Sequence, residues 1–152
     1  MIEDSFTAVY SKFKLYFYQK VFDRIQNRET SLTTVETFCV EIIYVLHRPT
    51  INEFANFIKI SAPNATYKIN CLIKKGYLRR VQSRRDKRLF YLEVTDKFFD
   101  YYGINLSYID TVVKRMKERF SETDISKLNE MLEIISSELM PEISCSGSLS
   151  LS

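Results

Sequence analysis

The chain has 152 residues, 45% of them hydrophobic and 27% charged, enough for one ordinary core and too few for two large domains. Three glycines and three prolines supply little of the punctuation that a many-turned β protein needs, so long helices are expected. No apolar run approaches the length of a membrane span, and the start, Met1 to Asp4, is acidic where a secretory leader is basic, so a cytoplasmic location is expected.

In chain order, Phe6, Val9, Tyr10, Phe13, Phe17, Val21 and Ile25 recur at helical spacing and predict a first helix with an apolar stripe. Its aromatic content is too high to be left in water and calls for packing against other helices, of this chain or of a second subunit. Thr33 with Glu36 forms a capping box that opens a helix through Phe38, Cys39, Ile42, Ile43 and Leu46, with Pro49 as its stop. Thr50 with Glu53 forms a second box, opening a short helix with Ile51, Phe54, Ala55 and Ile58 inward. Ser61 caps a third, with Pro63 tolerated in the first turn. This helix turns Ala65, Ile69 and Leu72 inward and ends at Gly76, the expected left-handed stop.

Beyond Gly76 the period changes. Tyr77 to Ser83 and Leu89 to Val94 read as two strands, and the polar stretch from Arg84 to Lys87 as the tip of their hairpin. Thr95 opens a long helical stretch through Phe98, Phe99, Tyr102, Leu106, Ile109, Val113, Met116 and Phe120, bent at Gly103. Ser121 with Asp124 starts a last helix through Leu128, Leu132 and Leu139, ended by Pro141. The expected organisation is one domain over residues 1–142, with residues 143–152 a serine-rich disordered tail. The fold class is mainly α with a small β-hairpin wing: a winged helix-turn-helix over about 32–95, plus N- and C-terminal dimerisation helices over about 5–28 and 96–140.

Charge is distributed unevenly. From Thr50 to Thr95 ten basic residues face three acidic ones, a net of +7 in a chain whose total is +3. A charge run alone is often a solvated face. Here it coincides with two short helices followed at once by a hairpin, an arrangement that suits double-stranded DNA. A helix fits the major groove, and a cationic hairpin tip suits the negative minor groove beside it.

The residues that carry this pattern are Leu32-Thr33, Thr50-Ile51-Asn52-Glu53-Phe54-Ala55, Leu72, Gly76-Tyr77-Leu78-Arg79-Arg80, Asp86-Lys87-Arg88 and Leu92-Glu93-Val94-Thr95. Together they resemble the MarR family of bacterial winged helix-turn-helix regulators, over about Phe6 to Leu139. The sequence departs from the family pattern at Asp96-Lys97-Phe98, where many members have a glycine, and at Glu36, where a glutamine is usual. The resemblance implies a homodimer on a pseudo-palindromic operator, repressing transcription until a small molecule or other signal releases it. The N- and C-terminal helices of two chains would interlock.

On the recognition helix, Asn64, Thr66, Tyr67 and Lys68 are expected to face outward near its start, to read base edges or touch phosphate. Lys68, Lys74 and Lys75 are expected to neutralise phosphate, which adds affinity without sequence information. In the wing, the resemblance places Arg88 in or at the minor groove with Asp86 bracing it by an ion pair, whereas Asp86 read by itself is also a common turn former. Arg84 and Arg85 lie nearer the tip as backbone or minor-groove contacts. Candidates for lining an effector pocket are Tyr10, Phe13, Phe17, Phe38 and Tyr44, with Tyr16, Phe99 and Tyr102 beside them, although an aromatic stripe at helical spacing is equally a core.

Other chemistries find little support. No Walker loop, Gly-x-Ser-x-Gly or dinucleotide fingerprint is present, so neither an enzyme nor a cofactor is expected. One histidine and three dispersed cysteines give no metal site. His47, at a helix end, is read as capping carbonyls. Cys39, Cys71 and Cys145 are read as reduced thiols, with a redox role for Cys39 dependent on its exposure and pKa. The alternative of a winged-helix protein-interaction module without sequence-specific DNA binding predicts a weakly basic wing.

Overall fold

The computed structural model describes residues 1–27, 32–102 and 104–143. Gly103 and residues 144–152, with Cys145, lie outside that description, as does the side chain of Tyr102; so do the bend expected at Gly103 and, but for Ile143, the tail expected to be disordered. Among the described residues are seven helices and two strands: α1 (Ile2–Gln26), α2 (Thr34–Val45), α3 (Ile51–Ile58), α4 (Ala62–Lys74), β1 (Leu78–Gln82), β2 (Phe90–Val94), α5 (Asp96–Tyr102), α6 (Ile104–Arg119) and α7 (Glu122–Glu138).

Local chemistry fixes most helix starts. At α2 the Glu36 amide donates to Thr33 Oγ1 at 3.2 Å and the Thr33 amide to Glu36 Oε2 at 2.8 Å. The same reciprocal pair recurs at α3, between Thr50 and Glu53. Each box satisfies two backbone donors that would otherwise lack a partner. Ser61 and Ser121 accept from the amides of Asn64 and Asp124 to start α4 and α7. Gly76, just past α4, has φ of +86°, a conformation that costs other residues energy and glycine almost none.

One helix end differs from the sequence reading. Pro49 does not stop α2 directly: the helix ends at Val45, and the chain turns through His47 and Arg48, both left-handed at φ 51° and 56°. The strands are antiparallel, with Leu78 opposite Val94 and Gln82 opposite Phe90. Each is shorter than expected.

The core is built by the middle of the chain. Leu32, Val40 and Ile43 meet Phe54 and Ala55 of α3, Ala65, Ile69 and Leu72 of α4, Tyr77 and Leu78, Leu92 of β2 and Phe98 of α5. Among the described residues none of α1, α6 or α7 belongs to this cluster. Instead α1 packs on α6, where Tyr16 stacks on Tyr108 with ring centroids 3.8 Å apart and Phe13 meets the same ring edge-on. Outside that contact the terminal helices leave Phe6, Tyr10, Leu15, Phe22, Phe120, Leu132 and Leu139 exposed, and α7 has no buried residue.

Candidate nucleic-acid interface

The inward side of α4 is set by Ala65, Ile69 and Leu72, all fully buried. Helical periodicity then puts Tyr67, Asn70 and Lys74 on the opposite side. All three are exposed, Tyr67 at 70%. This open ring, on a helix whose other face is wholly buried, is free to meet a partner. Asn64 is exposed at the start of the helix, its side chain free of the capping bond that its amide makes. Thr66 is half-buried.

The two other lysines do not stand where the sequence reading puts them. Lys75 is folded back onto α2, its Nζ 2.8 and 3.0 Å from the two Glu36 oxygens, so its charge is spent within the protein. Lys68 is half-buried on the same flank of α4, and its charge acts on the buried Cys39 thiol. Both lie a quarter turn or less from the core stripe, on the flank of α4 that faces α2, which explains the difference.

The wing tip braces itself. Ser83 Oγ accepts from the amides of Arg85 and Asp86, and Gln82 Nε2 donates to the Lys87 carbonyl at 2.6 Å. Asp86 Oδ1 accepts from both the amide and Nε of Arg88, at 3.0 and 3.1 Å, and Oδ2 accepts from the guanidinium's other arm. These bonds to Arg88 hold the Asp86 carboxyl below its ordinary pKa. The Arg88 side chain itself is 90% exposed, so the brace orients a cation without burying it. Arg84 and Arg85 are exposed beside it, and among the described residues neither has an acidic partner.

Two links tie the wing to its surroundings, and sequence reasoning missed both. Arg80 of β1 donates to Asn70 Oδ1 at 2.8 Å, joining the outer side of α4 to the hairpin. Glu93 of β2 accepts from Arg79 at 2.6–2.8 Å and from Arg48 Nε at 2.8 Å, joining both strands to the α2–α3 turn. The Arg79–Glu93 half was within reach, since the two face each other across the hairpin. The Arg48 half was not, because nothing local relates Arg48 to Glu93.

Of the aromatic pocket candidates, Tyr44 lines a cavity. Tyr10 and Phe38 are exposed, Phe13 lies against Tyr108 of α6, and Phe17 is buried on α1. The cavity at Tyr44 measures about 180 Å³ and lies between α2, β2 and α5, with His47, Arg48, Glu93, Val94 and Phe99 among its walls. Phe99 stands edge-on to Tyr44 at 5.6 Å. His47 Nε2 is buried there without a hydrogen-bond partner, so it does not cap a carbonyl as the sequence reading supposed. Cys39 is buried, and burial raises its thiol pKa more than the Lys68 charge lowers it; an inert thiol follows.

Residues 32–90 match the model of the MarR family. That segment runs from the start of α2 through the hairpin, and so takes in the core and both candidate contact elements. Family members are transcriptional regulators and not enzymes. A curated relative, the HTH-type transcriptional regulator BilQ of Clostridioides difficile (strain CD3), is 26% identical over 85 residues, 56% of this chain. The match spans 57% of that relative's length. Among solved structures, Streptococcus pneumoniae FabT in complex with DNA is 20% identical, with 93% of this chain and 97% of that one covered at a TM-score of 0.58. A mutant of MepR from a multidrug-resistant S. aureus clinical isolate is 16% identical, with coverage of 91% and 97% and a TM-score of 0.61. At these identities the likeness is one of fold, and it takes in the terminal helices as well as residues 32–90. No helix of the described residues is long and apolar enough to cross a membrane.

Proposed function

We propose that this protein is a regulator of the MarR type, a sequence-specific regulator of transcription that binds double-stranded DNA as a homodimer and represses until an effector releases it. The observation that carries the reading is the pairing of two exposed elements on one scaffold. The outer side of α4, with Tyr67 and Lys74, is hydrogen-bonded through Asn70 to the hairpin that presents Arg84, Arg85 and Arg88. Asn64, Thr66 and Tyr67 are the base-reading candidates, and Lys74, Arg84 and Arg85 the phosphate and groove contacts. Asp86 acts through Arg88 and does not itself meet DNA, since its charge would repel phosphate. FabT, solved in complex with DNA, supports this reading by its shared fold.

The dimer is supported by the exposed apolar residues of α1, α6 and α7, which a monomer leaves in water. A two-fold pair of winged domains would require both half-sites in register, which turns modest affinity into specificity. The cavity at Tyr44 is a place for an effector to act, because it touches β2 of the wing and α5.

An unbiased selection of bound duplexes, followed by titration of the selected site at several salt concentrations, tests the reading. Specific binding with a log–log salt slope of several units is the expected result. A flat salt dependence, or enrichment of no sequence, would reject it.

A further inference from the structure

A second cavity lies on the far side of α2 from the one at Tyr44. It measures about 180 Å³ and is walled by Ile42, Val45 and Leu46 of α2, Phe57 of α3 and Ile143, with one charged group, Glu41. Val45 and Phe57 are part-exposed at its lip. Five apolar walls around a single carboxylate are an odd way to finish a surface. A glutamate on a helix normally points to water or meets a lysine or arginine. Glu41 meets no cation and stands half-buried at the cavity wall; no cation acts on its titration, and burial alone pushes its pKa up to about 7. The charged form therefore lacks the partner that would make it comfortable, and the titratable group next to it on α2 is Tyr44, itself pushed up by burial and by Glu41.

We propose that this cavity binds a small organic cation, a protonated primary amine carried on one aromatic ring or a short alkyl body. Size sets the body: an apolar cavity of about 150 Å³ takes up benzene, so one ring fits here and two do not. Charge sets the head: an ammonium on Glu41 makes a charge-assisted bond in surroundings of low dielectric, while an anion would meet an unscreened carboxylate. Binding also displaces the proton that Glu41 holds in part near neutral pH, since the ammonium favours the ionised form. The site joins α2 to α3, the helix on which α4 rests, and does not depend on the DNA-binding reading.

Calorimetric titration of the full chain just above neutral pH, with benzylamine as the probe, tests the proposal. Saturable binding of one benzylamine per chain is expected, with benzyl alcohol weaker by about tenfold or more and benzoate giving no heat. The heat should differ between phosphate and HEPES buffers, because a proton is released. Glu41→Gln should lose the preference for amine over alcohol and the buffer dependence together. Val45→Phe, which fills the cavity and keeps the carboxylate, should lose binding of both. Unchanged amine binding in either variant, equal binding of the alcohol by the native chain, or no saturable binding at all overturns the proposal.

Discussion

Single side chains decide how much of the +7 charge is available outside the protein. Lys75 and Arg79 are held by Glu36 and Glu93, while Arg88 is held by Asp86 yet stays exposed. Arg88→Ala is therefore expected to weaken operator binding by about 1–3 kcal/mol with little change in thermal unfolding; equal affinity in an anisotropy titration would remove Arg88 from the interface. Glu36 makes a different prediction. Burial raises its pKa, but the Lys75 ammonium and the Thr33 amide outweigh burial and hold it below the usual value. A depressed folded pKa means stability that is present above the unfolded pKa and lost as pH falls through the folded one. Glu36→Gln should thus lower the unfolding midpoint near neutral pH and show a smaller penalty in strong acid. A penalty that does not shrink on acidification would show that the Glu36–Lys75 pair contributes nothing through charge.

At the scale of elements, boundaries written in local chemistry were legible and those imposed from a distance were not. Both capping boxes, the Ser61 cap and the Gly76 stop are present as read, because each depends on residues within four positions. The left-handed pair His47–Arg48 was not readable. Neither is glycine, and what holds the turn comes from β2: Arg48 meets Glu93, the Leu92 amide donates to the Pro49 carbonyl, and Thr50 bridges to Tyr91. Likewise Lys68 and Lys75 could be assigned only once the flank of α4 against α2 was known. Gly76 offers a clean test of the local rule. A Cβ there would meet nothing nearer than 3.7 Å, at the Lys97 side chain, so Gly76→Ala should cost about 1–2 kcal/mol from backbone strain alone. A neutral substitution in denaturant unfolding would mean that the loop relaxes.

For the molecule as a whole, the sequence announced the fold class and the aromatic stripes of the terminal helices, but a stripe does not say what it faces. Phe13, Tyr16 and Phe17 are used within the chain, whereas Phe6, Tyr10 and Phe22 on the same helix remain exposed. If a second copy covers them, Tyr10→Glu with Phe22→Glu should leave the helical signal intact and shift the mass in light scattering from twice the chain to one chain. A native protein already monomeric at micromolar concentration would contradict the dimer.

The floor of the hairpin has a mechanical consequence. The Thr95 hydroxyl donates to the Gly76 carbonyl, its amide donates to the Tyr77 carbonyl, and Lys97 reaches the Lys75 carbonyl while lying over the Tyr77 ring. The first turn of α5 is thereby bolted to the last turn of α4 without slack. A rotation of α5 that kept these bonds would carry the end of α4 with it.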